Sequence, residues 1–173
     1  HSQQIHAMYV SETLGQFGAR FQQAPVEASV LHHARRAVVD WYAALIAGYG
    51  MDPTPRLERA MAEDLDRGGA RLALGRRATA RAAALINGTA SHAAEVDDIF
   101  KHAIYHPGAP TISAALAVAQ QQRASGLQLL QAVIAGYEIS TRIGQVLGRA
   151  HYRYWHNTGT VGSFGAAAAA ACL

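Results

Sequence analysis

The sequence has little cysteine, and it lacks the long hydrophobic run of a membrane protein. Cys172 is the single cysteine of 173 residues, which excludes a disulfide framework or a cysteine-based zinc site and favours a reducing compartment. No apolar stretch approaches the ~20 residues that a membrane-spanning helix needs. Residues 1–25 are polar and rich in Gln, unlike a secretory signal. We therefore expect a soluble protein of the cytoplasm.

Charge is also scarce. Charged residues make up 16% of the chain, and 15 basic against 12 acidic side chains give a net charge of +3 with neutral His. This mild excess does not require a nucleic-acid partner. The basic residues are 14 Arg and one Lys, Lys101, and the Arg side chain is well suited to binding carboxylates.

Alanine and other small apolar residues are abundant instead. The chain contains 37 Ala, and half of all residues are hydrophobic, which favours a single domain of closely packed helices over residues 1–173. The chain begins with His1 and ends at Leu173 inside the apolar run 164–173. Because no helix-stop signal precedes that end, we expect the chain to be part of a longer protein.

Apolar periodicity and turn residues predict several helices. The predicted segments are a helix at about 26–47 ended by Gly48, a charged amphipathic segment at 56–66, a short helix at 82–86 closed by Asn87-Gly88, a helix from Thr111, and a helix with a capping box at Ser125 and Gln128. The Arg-rich stretch 70–81 is interpreted as a solvated helix face, because no aromatic residues are interleaved as in a nucleic-acid surface.

Three glycines at three-residue spacing, Gly159, Gly162 and Gly165, precede the final Ala run. This spacing is typical of close helix packing. A dinucleotide-binding loop would need a preceding strand, and none is predicted there.

Two polar clusters carry the candidate chemistry. Residues 92–106 contain three carboxylates, three His and Lys101, and residues 149–158 contain two Arg and two His. A metal site at His102 and His106, four residues apart, is one interpretation. It is disfavoured because Pro107 opposes helical geometry at His106. The adjacent Asp97 and Asp98 lack the ligand spacing of a calcium loop.

Acid–base catalysis on a carboxylate substrate is the second interpretation. His106 and His156 lie in separate loops and would provide proton transfer from two sides. Glu95, Asp97 or Asp98 could orient them, and a substrate carboxylate could bind to Arg149 or Arg153. The residues alone leave open whether these histidines instead cap helices or lie at an interface.

An ordered set of motifs then points to a family. The segments are Ile86–His92, Glu95–Asp98, His106–Ala109, Ser113–Ala117, Ala124–Gly126, Leu129–Leu130, Ala135–Glu138, Arg142, Leu147–Arg149, Trp155–Thr158 and Gly162–Ala171. In order and spacing they resemble the MmgE/PrpD family. That family includes 2-methylcitrate dehydratase, cis-aconitate decarboxylase and iminodisuccinate epimerase.

The resemblance implies an all-α helical bundle corresponding to the N-terminal part of the family's helical domain, with the lid domain absent from this chain. It also implies a homodimer without a metal or organic cofactor. Members of the family act on small di- and tricarboxylates by moving a proton beside a carboxylate. We therefore expect a dehydratase-type hydro-lyase, with an epimerase or isomerase as the alternative. A helical interaction module without activity is a further alternative.

Carried over by position, the resemblance assigns proton transfer to His106 and His156. It places Glu95 at the family's acidic position, and Asp98 is expected to orient a catalytic group or to cap the loop. Arg149, Arg153 and Lys101 are the candidate substrate-binding residues, although Lys101 does not match the family's catalytic lysines.

Two positions depart from the family's usual pattern. Dehydratase and decarboxylase members usually have Asp at the position of Glu95 and Thr at the position of Ile99. Because Ile cannot hydrogen-bond a substrate oxygen, the departure predicts a substrate that differs from methylcitrate or cis-aconitate.

Overall fold

Helices dominate the structure, as the Ala-rich composition predicts. The computed structural model describes residues 9–173; the first eight residues of the Gln-rich start lie outside the described residues. The described elements are α1 (Val10–Phe21), α2 (Ala28–Gly48), α3 (Thr54–Ala60), a 3-10 turn (Ala62–Asp64), β1 (Leu65–Arg71), β2 (Arg77–Ala78), α4 (Ala80–Ala93), α5 (Gly108–Gln122), α6 (Gly126–Tyr152) and α7 (Asn157–Ala171). Within residues 9–173, none of the helices has the length and hydropathy to span a bilayer.

Two predicted helices are confirmed together with their boundary signals. The helix expected at about 26–47 is α2, which ends at Gly48. The helix expected after Ser125 is α6, where the Ser125 hydroxyl accepts from the Gln128 amide at 3.3 Å and the Gln128 side chain accepts from the Ser125 amide at 2.8 Å. The start of α6 therefore follows from local chemistry, and α2 ends at the predicted glycine.

The predicted stop at Asn87-Gly88 is wrong, because α4 continues through both residues to Ala93. The Asn87 side chain is buried and faces the hairpin, where Oδ1 accepts from the Ala73 amide and Nδ2 donates to the Arg71 carbonyl, each at 3.0 Å. The Asn87 side chain thus forms a tertiary contact with the hairpin and does not stabilise a turn.

The helical interpretation of residues 70–78 is also wrong, since this stretch belongs to an antiparallel two-stranded sheet of β1 and β2. Positive backbone φ angles of 78° at Gly68 and 98° at Gly75 favour turns over a helix. Arg76 then pairs with Asp66 at 2.7 Å and with Glu58 at 3.1 Å. The basic stretch is therefore partly neutralised within the fold.

The main core lies between α2, α4, α5, α6 and α7. Trp41 of α2 is 1% exposed, and its indole N–H donates to the Ser113 hydroxyl of α5 at 3.0 Å. A second cluster packs the hairpin against α4 and α5. A third, formed by Ala103, Tyr105 and Val161, lies beneath the loop that precedes α5.

Gly162 and Gly165 of α7 confirm the close-packing interpretation, whereas Gly159 does not, since a Cβ there would meet no atom within 4 Å. A Cβ built on Gly162 would lie 2.8 Å from the Pro110 ring of α5, and one on Gly165 would lie 2.5 Å from the Thr111 hydroxyl. These contacts bring α7 directly against α5, and they hold the start of α7 beside the start of α5.

The helix contact at Gly165 generates a stability prediction. Gly165→Ala should lower the free energy of unfolding by roughly 1–3 kcal/mol, because the new methyl group overpacks the α5–α7 contact. Gly159→Ala in the same helix is the matched control, since a Cβ there meets no atom within 4 Å. Urea unfolding of both variants measures the difference. Equal stability of the two would contradict the packing role of Gly165.

Candidate active site

An open cavity of about 520 Å³ lies where α4, α5 and α7 meet. Its wall combines small apolar residues with a few polar groups, as is common for ligand pockets. It is lined by Asp52, Pro53, Ala84, Leu85, Gly88, Thr89, His92, Ala93, Glu95, Ala109, Pro110 and Thr158. The polar cluster expected at 92–106 therefore borders a cavity through His92 and Glu95.

Two loops carry the rest of the polar cluster, one between α4 and α5 and one between α6 and α7. The first folds back on itself, with the Phe100 amide donating to the Tyr105 carbonyl at 2.7 Å. The second follows a break in α6 at Gly148, where φ is 56° and ψ is −158°. The Asn157 side chain donates to the carbonyls of Ala103 and Gly148. This buried amide ties the two loops together.

Three imidazoles meet at this junction. The ring centroids of His92 and His106 are 4.8 Å apart, and those of His92 and His156 are 6.1 Å apart. His92 lies in the last turn of α4, His106 precedes α5, and His156 is the residue before α7. The structure thus brings the two predicted histidines to one cluster, with His92 between them.

Asp97 is the carboxylate that contacts two of these histidines, His92 and His106. Its side chain is 1% exposed, and its oxygens lie 2.9 and 3.1 Å from His92 Nδ1. His106 Nδ1 lies 3.5 Å from the same carboxylate. The hydrogen bond that His92 Nδ1 donates to Asp97 is the main cause that raises the pKa of His92 above its ordinary value, against the opposing effect of burial.

Asp98 has a different role from its neighbour. It accepts from the Gly108 amide at 3.0 Å and from the Tyr137 hydroxyl at 2.8 Å. Asp98 therefore caps the first turn of α5 and fixes the loop that carries His106. Burial is the main cause that raises the pKa of Asp98, and burial beside this carboxyl raises the pKa of Tyr137.

Glu95 is exposed and lines the cavity. Its backbone lies in the left-handed region with φ of 50°, so the chain turns sharply where α4 ends. Its negative charge contributes to the raised pKa of His92. On the opposite wall, the Thr158 hydroxyl accepts from the His106 amide at 3.2 Å.

The expected substrate-binding residues lie away from this wall. Lys101, Arg149 and Arg153 are exposed, and none of them lines the cavity among the described residues. Ile99 is 56% exposed. The structure therefore brings together His106, His156 and Glu95, but not the three basic side chains.

His92 was not among the site residues predicted from the sequence, and Asp97 was predicted only as one of three carboxylates that could orient a histidine. His92 lies inside the Ile86–His92 motif and five residues before Asp97, a separation that crosses the end of α4. One turn of helix followed by a sharp bend at Glu95 brings them together. That bend is not readable from apolar periodicity.

His92, Asp97 and His106 also form the group whose donor atoms could hold a metal ion, with all of these atoms within 4.8 Å of one another. Two imidazoles and a carboxylate are a donor set used for zinc or iron. His102, the other histidine considered for a metal, is exposed and packs against the Phe100 ring at 5.5 Å.

Taken together, these features define a helical domain with a histidine–carboxylate cluster beside a cavity, an arrangement suited to acid–base chemistry. The profile of the family described as "MmgE/PrpD N-terminal domain" matches residues 12–173. The chain therefore belongs to the MmgE/PrpD family, as the resemblance predicted.

A curated relative is the cis-aconitate decarboxylase-like protein oryM of Aspergillus oryzae. It is 29% identical over 175 residues, which cover 95% of this chain and 36% of the relative. The chain thus spans about a third of the length of that protein.

The His92–Asp97 hydrogen bond generates a pH prediction. Because the pKa of His92 is raised in the folded chain, its stabilisation is complete below the ordinary value of ~6.5 and is lost as the pH rises through the raised value. At about pH 5.5, wild type should exceed His92→Gln in free energy of unfolding by roughly 1–2 kcal/mol, since the pair is only partly screened. The difference should shrink by about pH 9.

Urea unfolding at both pH values measures this difference. His32→Gln, which changes an exposed histidine of α2, is the matched control. If both variants followed the same pH trend, or if the His92→Gln difference grew with pH, the assigned hydrogen bond would be contradicted.

Proposed function

We propose that this domain is part of a cofactor-independent lyase of the dehydratase type that acts on a small di- or tricarboxylate. The reaction begins with proton abstraction beside a carboxylate. The observation that carries the proposal is the cluster of His92, His106 and His156, of which His92 lines a cavity of about 520 Å³. The family resemblance extends the proposal to a homodimer in the cytoplasm.

Proton transfer is assigned to His106 and His156. An imidazole titrates near neutral pH and can take a proton from carbon or return one to a leaving group. Glu95 lines the cavity and supplies a carboxylate beside His92. Asp98 supports the site through its bond to the Gly108 amide, which holds the loop of His106 in place.

Binding of the substrate carboxylates is assigned to the basic side chains near the loops. Arg149 and Arg153 precede His156 in the segment after the break at Gly148, and Lys101 lies in the loop between α4 and α5. They reach the cavity only if these exposed side chains bend inward over a bound ligand. A guanidinium would then form a bidentate pair with a carboxylate.

Two side chains of the loop between α4 and α5 favour a substrate other than methylcitrate or cis-aconitate. Ile99 has no polar group to bind a substrate oxygen, and Glu95 is one methylene longer than Asp. Glu95 lines the cavity, whereas Ile99 lies on the same loop and lines a separate pocket against α2. The curated relative is named a cis-aconitate decarboxylase-like protein, whereas this chain has Glu95 and Ile99 where decarboxylase members of the family usually have Asp and Thr.

Epimerisation is the second candidate, because it uses the same first step. Removal and return of a proton on opposite faces of one carbon needs two separate groups. His106 and His156 come from different loops and approach His92 from different elements. A deuterium label would enter the substrate in either reaction, while only elimination would yield an unsaturated product.

Deuterium uptake tests the proposal before the product is known. The protein is incubated in deuterated water with 2-methylcitrate, citrate, cis-aconitate or iminodisuccinate, and label uptake is followed by NMR. One compound should gain deuterium beside its carboxylate. His156→Ala should slow the uptake by about 10²–10⁴-fold, the usual contribution of a general acid or base.

His32→Ala, in an exposed position of α2, is the control and should retain the wild-type rate. Thermal melts run in parallel, since a ligand that binds only the folded state raises the melting temperature. Absence of both label uptake and a thermal shift, in this chain and in a longer one, would favour an interaction module instead.

A further inference from the structure

His92 differs from the other two histidines of the cluster in its position at the cavity. His92 is part of the cavity wall, whereas His106 and His156 are not among its lining residues. Its side chain is 28% exposed, so it is open to a ligand on one side and packed on the other. A partly exposed imidazole at a cavity wall has the access that a proton-transfer group needs.

The packed side of His92 is occupied by Asp97. Nδ1 lies 2.9 Å from one carboxylate oxygen and 3.1 Å from the other. A buried carboxylate accepts hydrogen bonds, so it selects the form of the ring that has a proton on Nδ1. This leaves Nε2, on the other edge of the ring, as the nitrogen available to a ligand.

His106 faces the same carboxylate. Its Nδ1 atom is buried and has no hydrogen-bond partner among the described residues, but it lies 3.5 Å from Asp97 Oδ2. A shift of a few tenths of an ångström would complete a hydrogen bond of ordinary length. One carboxylate oxygen of Asp97 is thus positioned between two imidazoles.

We propose that Asp97 is a positioning residue that fixes the Nδ1–H form of both His92 and His106, and that His92 is a general acid of the site. This inference rests on the proposed function. In the acid step, the Nε2–H bond of the His92 imidazolium breaks as its proton bonds to the substrate. The acceptor is the departing hydroxyl oxygen or the carbanion carbon. The ring becomes neutral and keeps its Nδ1 proton against Asp97.

The charges around the pair agree with this assignment. Asp97 and Glu95 both favour the cationic form of His92, while the His156 ring stacks near it and the His106 ring lies tilted against it. On the far side of Asp97, Asp98 is bonded to Tyr137 and to the α5 amide of Gly108. The acid form of His92 therefore faces two carboxylates and two imidazoles.

The positioning role is tested by NMR on the 173-residue chain with ¹⁵N-labelled histidine, in a buffer with a chelator. Two-bond proton–nitrogen spectra identify which ring nitrogen of His92 carries the proton, and the signal that disappears in His92→Gln assigns it. We expect Nδ1–H in the neutral ring. Asp97→Asn should lower the pH at which the His92 imidazolium loses a proton and becomes neutral. Asp97→Glu, which keeps a carboxylate, should lower that pH less.

Asp66→Asn, on the hairpin, is the matched carboxylate-to-amide control and should leave the His92 signals unchanged. An Nε2–H ring in wild type, or a His92 titration that is the same in wild type and a folded Asp97→Asn, would overturn the positioning role. Should Asp97→Asn fail to fold, the ring form in wild type decides the question alone.

The general-acid role is tested by deuterium uptake and turnover with the active compound of the panel. His92→Gln should lower kcat by about 10²-fold or more with little change in KM, and His32→Gln should match wild type. Unchanged turnover in His92→Gln, with wild type active, would overturn the role of His92 alone. If wild type handles none of the compounds, the proposed function and the acid role fall together, whereas the NMR result still decides the role of Asp97.

Discussion

The candidate site depends on a single buried charge, the carboxylate of Asp97. Burying an ionised group is unfavourable unless partners replace the water it loses. At 1% exposure, Asp97 finds them in His92 and His106, which belong to different parts of the fold. The end of α4 and the start of α5 must therefore meet at one point. The tight loop between them, with left-handed residues at Glu95 and Ile104, is the conformation that satisfies this requirement.

The elements that local chemistry dictates were predictable. The capping box at Ser125 and the stop at Gly48 depend on residues within one turn of each helix end. Gly162 and Gly165 of α7 were also predictable as packing positions from their three-residue spacing, although Gly159 of the same series makes no such contact. The hairpin was not, since its turns depend on Gly68 and Gly75 within an otherwise charged stretch. The predicted helix stop at Asn87 was wrong for a related reason, because its side-chain amide hydrogen-bonds to the backbone of the hairpin.

The same distinction applies to the site. His106 and His156 were predicted first from their positions in two polar loops, and then from motifs that resemble a known family. The difference between Asp97 and Asp98 could not be read from the sequence, because adjacent residues of a loop point in different directions that only tertiary packing decides. One carboxylate meets the imidazoles, and the other meets Tyr137 and the Gly108 amide. Likewise, His92 was not predicted, because the apolar periodicity of α4 indicates which residues pack but not which side chains react.

The small side chains that shape the cavity are not the residues that hold the imidazoles in position. Ala84 and Ala93 line the cavity from α4, yet the imidazoles are held from behind by Asp97 and by the loop that Asp98 anchors. A larger residue at either alanine would reshape the space for a ligand without disturbing the hydrogen bonds of the histidine cluster. The residues that shape the cavity are therefore different from the residues that hold His92 and His106, so one set can change without the other.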